Sequence, residues 1–256
     1  MGREASVLLP GGEMSLLPGY RISGRDLNAV LETATGASFH ACADSICRGY
    51  ITARGGCRIG LCGTAVIGQR GMEGMRSISS VSVRIPREAR GCADGIFSML
   101  SGKRPKSVLI VSPPGWGKTT LLRELVRLFS ESGKRVSVVD ERSEIAAAWE
   151  GVPQFDVGPC TDVLTGAPKA QGTMAVLRAM NPEIIAMDEI TAPEDVAACR
   201  MASNCGTAIL ASAHASDTED LRLRPLYRDM LDAGIFRIAV LIAKNGAGRV
   251  YEVVRL

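Results

Sequence analysis

The residues best suited to chemistry lie near the middle of the chain, in the stretch SVLIVSPPGWGKTTLL (107–122). Gly117-Lys118-Thr119 matches the end of the phosphate-binding motif G-x-x-x-x-G-K-[ST], and Ser112 stands in place of its first glycine. Glycines let successive backbone N–H groups point at phosphates, and the start of the following helix adds a positive field. The predicted nucleotide-binding residues are Ser112, Pro113, Pro114, Gly115, Trp116, Gly117, Lys118, Thr119 and Thr120.

Two of these residues have predicted chemical roles. We expect the Lys118 ammonium to contact the β- and γ-phosphates and so to take part in catalysis, and the Thr119 hydroxyl to coordinate Mg²⁺. No arginine lies within the loop itself, so further charge on the transition state must be met from elsewhere.

A second element, PEIIAMDE (182–189), is an apolar run that ends in two carboxylates. This is a Walker B pattern, in which a buried strand presents acidic residues at its carboxyl end. Ligands of open parallel sheets bind beyond the carboxyl ends of the strands, so both elements are expected at one edge. We predict that Asp188 holds Mg²⁺ through water and that Glu189 is the catalytic carboxylate that polarises the attacking water.

Two weaker elements could contribute to the same chemistry. The segment VVDERSE (138–144) offers Glu141 and Glu144 as further candidate catalytic carboxylates. The segment SAH (212–214) ends the next predicted strand, where His214 could hydrogen-bond a γ-phosphate or Glu189. Each of these side chains is equally compatible with a purely structural role.

The identity of the nucleotide is partly constrained by a missing motif. The sequence contains no N-K-x-D guanine-reading motif, and Lys244-Asn245-Gly246 has the wrong order for one. This favours ATP over GTP. The predicted cofactors are therefore ATP and Mg²⁺, and the predicted activity is Mg²⁺-dependent nucleoside triphosphate hydrolysis.

The second half of the chain alternates predicted strands with helices. A helix is predicted over 118–130, and apolar runs predict strands over 107–111, 136–140, 183–188, 207–213 and 236–243. Such alternation is typical of a mainly parallel sheet in a three-layer α/β domain. Asn245-Gly246 predicts a closing hairpin whose second arm is 250–254.

The first half predicts a small α+β domain. Helices are expected over 25–34 and 38–47, strands over 49–53, 57–67 and 78–85, and a glycine-rich loop over 68–74. The basic, proline-containing stretch SGKRPK suggests a linker. The predicted division is therefore an N-terminal domain (1–100), a linker (101–106) and an ATPase domain (107–256).

Composition disfavours several classes of protein. The net charge is only +3 and aromatic residues make up 4%, so a nucleic-acid partner is not favoured. The longest uninterrupted apolar run is 238–243, shorter than the roughly 20 residues of a membrane-spanning helix, and we expect no signal peptide. The eight cysteines lack zinc-site spacing and are expected to be reduced thiols in a cytosol.

The order of phosphate loop, acidic box, Walker B strand and histidine resembles the RecA-like ATPases of type II and type IV secretion. More narrowly, nearly the whole chain resembles the stage III sporulation protein AA family. The blocks that carry this resemblance are GGCRIGLCG (55–63), SISSVSVRIPREARGCA (77–93), SPPGWGKTTLLREL (112–125) and the set of motifs within 138–172.

The resemblance implies a RecA-like core and a hexameric ring in the cytoplasm of the mother cell. The ring would act with other stage III sporulation proteins at the cytoplasmic face of a membrane complex during endospore formation. It also implies that arginines of the N-terminal domain complete a neighbour's site, and the candidates here are Arg58, Arg76 and Arg84. The family usually has a longer N-terminal segment, so this chain looks short at its start.

Two other functions remain open at the level of sequence. The first is a nucleic-acid-associated RecA-like ATPase, in which Arg84, Arg87 and Arg90 would touch phosphates. The second is a nucleotide-gated switch without appreciable turnover. Oligonucleotide binding would identify the first, and measured hydrolysis would decide the second.

Overall fold

The computed structural model describes residues 2–9, 14–36, 43–69, 71–86, 88–246 and 248–256. It divides into two compact units, Met1–Pro86 and Arg87–Leu256. The first unit contains β1 (Glu4–Leu8), β2 (Met14–Arg21), α1 (Gly24–Thr35), α2 (Ala43–Cys47), β3 (Tyr50–Thr52), β4 (Arg58–Gly68) and β5 (Gly71–Arg84).

The first unit holds two antiparallel sheets, the pair β1–β2 and the sheet β3-β4-β5. Helix α1 starts with a capping box between Ser23 and Asp26 and ends at Gly36, whose φ of +57° suits glycine. Its buried side contributes Leu31 to a small core with Ile51 and Ile59. This α+β content agrees with the predicted helices and strands.

The first unit differs from the sequence prediction in two places. Strands β1 and β2 were not predicted, because Pro18 and Gly19 interrupt the run and only an edge strand tolerates a proline there. The predicted loop 68–74 is largely strand, since β4 continues to Gly68 and β5 begins at Gly71. Of the predicted helix 38–47, residues 38–42 lie outside the described residues, and α2 covers the rest.

The second unit alternates strands with helices throughout. It contains α3 (Asp94–Leu100), β6 (Val108–Val111), α4 (Lys118–Glu131), β7 (Val136–Asp140), β8 (Thr161–Thr165), α5 (Lys169–Met180), β9 (Ile184–Met187), α6 (Pro193–Asn204), β10 (Ala208–Ala213), α7 (Thr218–Leu223), α8 (Pro225–Asp232), β11 (Ile238–Asn245) and β12 (Gly248–Arg255). None of the helices in the described residues is long and apolar enough to cross a membrane.

Its strands form one sheet in the order β12-β11-β6-β10-β9-β7-β8. Every neighbouring pair is parallel except β11–β12, which forms the predicted antiparallel hairpin. Both faces are covered: Val108 and Ile110 pack into one buried cluster, while Leu109 and Val111 pack into another. The predicted three-layer α/β fold with a mainly parallel sheet is therefore correct.

The boundary between the units lies earlier in the chain than the predicted linker. Ala93, Ile96 and Leu100 are buried in the same cluster as Leu125, so α3 packs within the second unit. Residues 101–106 form a short connection from α3 to β6 inside that unit. Strand β8 was also missed, because TDVLT is short, half exposed and lies at the sheet edge.

Candidate nucleotide site

The sheet order brings three connections to one edge. Strands β6, β10 and β9 are consecutive neighbours and run parallel, so their carboxyl ends lie side by side. The phosphate loop (112–117) follows β6, His214 follows β10, and Asp188 with Glu189 follows β9. Ligands of open α/β sheets bind beyond such strand ends, so this edge is the candidate site.

The phosphate loop has the conformation that its glycines permit. Gly115 and Gly117 have φ values of +74° and +95°, in the left-handed region that disfavours other residues. Helix α4 begins directly afterwards at Lys118, and no side chain in the described part of the chain caps its first turn. The free N–H groups of a helix start attract anions, so the loop and helix start together have the geometry that a phosphate cradle requires.

Lys118 is buried, and its ammonium lies at the centre of the site. Its Nζ lies 2.9 Å from the carbonyl oxygen of Ser112, 3.2 Å from that of Pro113 and 2.7 Å from His214 Nδ1. Burial lowers the pKa of Lys118, and the nearby carboxylates of Glu189 and Asp188 oppose that shift. An ammonium has three donors, so all three are used inside the protein.

The contact with Lys118 also determines which ring nitrogen of His214 carries the proton. An ammonium can only donate, so Nδ1 of the histidine must accept and its proton must lie on Nε2. That nitrogen is 2.9 Å from Glu189 Oε2, to which it donates. A hydrogen-bonded chain therefore runs from Lys118 through neutral His214 to Glu189.

Asp188 accepts two hydroxyl hydrogen bonds at the same edge. Thr119 Oγ1 lies 3.2 Å from its Oδ2, and Ser212 Oγ lies 2.8 Å from its Oδ1. A carboxylate beside a hydroxyl is a set of hard oxygen donors, and Mg²⁺ is commonly held by one or two carboxylates together with substrate phosphates. The residues present therefore fit Mg²⁺, with Thr119 and Asp188 as the protein ligands.

The acidic box at the end of β7 is arranged differently. Asp140 is buried and accepts hydrogen bonds from the backbone N–H groups of Glu144, Ile145 and Ala146, at 2.8 to 3.2 Å. Glu141 Oε2 accepts from Lys169 Nζ at 2.6 Å. The Glu141 carboxylate is therefore engaged by Lys169, while Lys118 contacts His214 and the loop carbonyls.

The three candidate arginines all lie in the first unit. Arg58 on β4 is directly opposite Arg84 on β5, and Arg76 is opposite Thr64. The Arg58 guanidinium also stacks on the Tyr50 ring, with Cζ 3.8 Å from the ring centroid.

Sequence reasoning missed residues that support this site. Ser212 holds Asp188 and precedes His214 by two positions, so strand alternation could have placed both side chains on one side. Lys169, which holds Glu141, and Arg123 gave no such signal. Arg123 Nη2 donates to the Glu144 carbonyl at 2.7 Å, a contact that depends on how α4 lies against the acidic box.

Comparison with known proteins identifies the family. The family model "Sporulation stage III, protein AA" matches residues 3–255. This chain belongs to that family. It is 36% identical over 240 residues to stage III sporulation protein AA of Bacillus subtilis (strain 168). The matched region covers 91% of this chain and 78% of that protein. A 158-residue region, 60% of this chain, is 30% identical to 27% of the uncharacterized protein ycf45 of Porphyra purpurea.

Solved structures share the fold at low sequence identity. The Legionella pneumophila ATPase DotB is 16% identical, with a TM-score of 0.59 over 94% of this chain and 71% of its own. The pilus retraction motor PilT, solved with bound ADP, is 17% identical, with a TM-score of 0.66 over 99% of this chain and 77% of its own. These likenesses confirm the RecA-like fold that the sequence predicted.

Proposed function

We propose that this member of the stage III sporulation protein AA family binds and hydrolyses ATP with Mg²⁺ at the edge formed by β6, β10 and β9. One observation carries the proposal. Lys118, Thr119, Asp188, Glu189 and His214 come from three separate strand ends and form two hydrogen-bonded groups, Lys118–His214–Glu189 and Thr119–Asp188. The two groups are adjacent because Lys118 precedes Thr119 and Asp188 precedes Glu189 in the chain. These are the residue types that nucleotide hydrolysis requires in those positions.

Lys118 is the residue that recognises the phosphates. Its ammonium is within hydrogen-bond distance of two loop carbonyls and His214. Phosphate oxygens are stronger acceptors for a cation than neutral carbonyl oxygens, because the hydrogen bond is then charge-assisted on both sides. Lys118 therefore exchanges those contacts for the phosphates when a nucleotide enters.

One of the two proposed metal ligands, Thr119, follows this lysine directly, and the other, Asp188, accepts a hydrogen bond from Thr119. Thr119 and Asp188 would hold Mg²⁺, and Ser212 fixes the carboxylate by donating to its other oxygen. When bound, Mg²⁺ neutralises charge on the β- and γ-phosphates. The protein's own contribution is to orient the two oxygen ligands before the nucleotide arrives.

Glu189 is placed to orient the attacking water and to accept its proton. The Nε2–H of His214 holds one of its oxygens and leaves the other for water. The same imidazole also contacts Lys118, so release of Lys118 to phosphate would remove that contact from His214 while His214 still faces Glu189. In this proposal, occupancy of the phosphate site would thus be felt at the catalytic carboxylate.

The proposal is tested by comparing two lysine variants. We expect Lys118→Ala to weaken ATP binding by at least about a hundredfold, since several charged hydrogen bonds are lost. Lys106→Ala is the matched control, because Lys106 is exposed and precedes β6 at the opposite end of the strand. Calorimetric titration with ATP and Mg²⁺ checks both, with thermal unfolding to confirm the fold. Unchanged affinity in a folded Lys118→Ala protein would refute the phosphate-loop assignment.

We further propose that the hydrolysis drives or gates a membrane-associated assembly in endospore formation, with the chain acting as a homo-oligomeric ring in the cytoplasm. Membership of the sporulation family supports the process. The likeness in fold to the pilus retraction motor PilT supports the motor role. Co-purification with other stage III sporulation proteins, and mass measurement with a nonhydrolysable ATP analogue, would test the assembly.

A ring would let one chain complete the site of its neighbour. Arg58, Arg76 and Arg84 remain the candidates, and Arg58 and Arg84 are directly opposite each other on neighbouring strands. An arginine supplied by a neighbour is worth about 10³–10⁵ in rate. Mixing each arginine-to-alanine variant with Glu189→Gln should restore partial activity, because some interfaces then combine an intact arginine with an intact carboxylate. Full activity in a demonstrably monomeric sample would exclude this mechanism.

A further inference from the structure

The C-terminal hairpin brings two cations to the phosphate loop. Lys244 on β11 is directly opposite Arg249 on β12, so both side chains lie on the same face of the hairpin. Lys244 Nζ is 5.1 Å from the centroid of the Trp116 ring. The Arg249 guanidinium lies against Gly117, where an added Cβ would be 3.0 Å from its Nε and 3.1 Å from its Cζ.

This pairing is unfavourable for the protein alone. Like charges directly opposite each other in an antiparallel pair are destabilising. Lys244 and Arg249 are both exposed, and no carboxylate of the described residues forms an ion pair with either. Within the described residues, therefore, no ion pair offsets the repulsion, whereas a bound anion would.

The position of the pair indicates which anion that is. Gly117 immediately precedes Lys118 and caps the helix whose first N–H groups face the phosphate cradle. A guanidinium in contact with Gly117 is within side-chain reach of phosphates bound there, and its planar fork of donors suits phosphate oxygens. The neighbouring Trp116 gives the Lys244 ammonium a second attractive contact that holds it near the loop.

We propose that Arg249, with Lys244 beside it, contacts the phosphate groups of the nucleotide bound by the same chain. This inference rests on the proposed function and adds to it a phosphate-binding residue from the C-terminal hairpin. Arg249 differs from the candidate arginines of the first unit, because it lies in the same unit as the phosphate loop and needs no neighbour.

The test compares ATP with inorganic tripolyphosphate, each with Mg²⁺, in competition with a fluorescent ADP analogue. Arg249→Ala should lower the affinity for ATP and for tripolyphosphate about tenfold or more, since a hydrogen bond to a charged group is lost. Arg249→Lys should lose less, because it keeps the charge without the fork. Arg255→Ala, on the same strand opposite Ile238, is the matched control and should change neither affinity.

The stability of the variant gives an independent check. Arg249→Ala removes the like-charge repulsion, so its melting temperature should equal or exceed that of the unmodified protein. Loss of ATP affinity without loss of tripolyphosphate affinity would overturn the inference, because Arg249 would then contact the nucleoside. Unchanged affinity for both probes, with binding still abolished in Lys118→Ala, would overturn it while leaving the proposed function intact. If the unmodified protein bound neither ATP nor tripolyphosphate, the inference about Arg249 and the proposed function would both fail.

Discussion

Two acidic clusters end neighbouring strands of the same sheet, yet they have different surroundings. At the end of β9, Asp188 accepts from Thr119 and Ser212, and Glu189 connects through His214 to Lys118. At the end of β7, Asp140 accepts the backbone N–H groups of its own loop, and Glu141 is held by Lys169. The first cluster faces the phosphate loop, whereas the second holds a loop together.

The different surroundings of the two carboxylate clusters follow from the order of strands in the sheet. Strand β9 is separated from β6 only by β10, while β7 lies one strand further away. Asp140 is almost completely buried, and burial raises its pKa, opposed by the backbone N–H groups that favour its charged form. A carboxylate engaged in this way is unavailable to a metal or to water, whereas Asp188 and Glu189 remain partly exposed.

The largest expected effect is a difference between the two acidic clusters in how much kcat falls when a glutamate is replaced. Glu189→Gln should lower kcat about 10³-fold while ATP affinity changes only a few-fold, because a general base is removed and the phosphate contacts remain. Glu141→Gln should lower kcat only a few-fold. Phosphate release at saturating ATP and calorimetric binding measure the two quantities. Equal losses of kcat would show that the clusters share the chemistry and that the comparison is mistaken.

The next largest expected effect is a difference between the two acidic clusters in how much they contribute to the free energy of unfolding. Asp140→Asn places a donor amide where the carboxylate accepts backbone N–H groups, so we expect a loss of about 1–3 kcal/mol in the free energy of unfolding. Asp188→Asn should change that free energy much less but should weaken Mg²⁺-dependent ATP binding. Urea unfolding monitored by circular dichroism checks both variants. A stable Asp140→Asn protein would mean that the acidic box is not held in the way the hydrogen bonds indicate.

The smallest effect concerns the residue that orients the metal ligand. Ser212→Ala removes one hydrogen bond to the Asp188 carboxylate, so the Mg²⁺ concentration for half-maximal activity should rise a few-fold. At saturating Mg²⁺ the rate should be nearly restored, because the ligand itself is intact. A titration of activity with Mg²⁺ measures this. A rate that stays low at every Mg²⁺ concentration would place Ser212 in the chemical step instead.

Much of this arrangement follows from local sequence. The buried strands, helix α4 and the Gly117-Lys118-Thr119 motif are each encoded by a continuous run of residues, so periodicity and motif spacing predict them. The carboxyl-terminal position of Asp188 and Glu189 follows from their place after an apolar run. The closing hairpin follows from Asn245-Gly246 between two strand patterns.

The remainder depends on contacts between distant segments. The edge strands β1, β2 and β8 bury little, so they lack the apolar pattern of central strands. The different contacts of Glu189 and Glu141 depend on the order of strands in the sheet, which no single segment contains. The approach of Arg249 to Gly117 likewise requires that β11 pairs with β6.

The most direct measurement is a crystal structure of Glu189→Gln grown with Mg²⁺ and ATP, a variant chosen because it should bind without turnover. Its decisive quantity is the distance from Lys118 Nζ to the nearest phosphate oxygen. The account predicts about 3 Å, a hydrogen-bond distance, with the contact to His214 Nδ1 released and Mg²⁺ between Thr119 and Asp188. A nucleotide bound elsewhere, or Lys118 still held by His214 and the Ser112 and Pro113 carbonyls with ATP present, would contradict it.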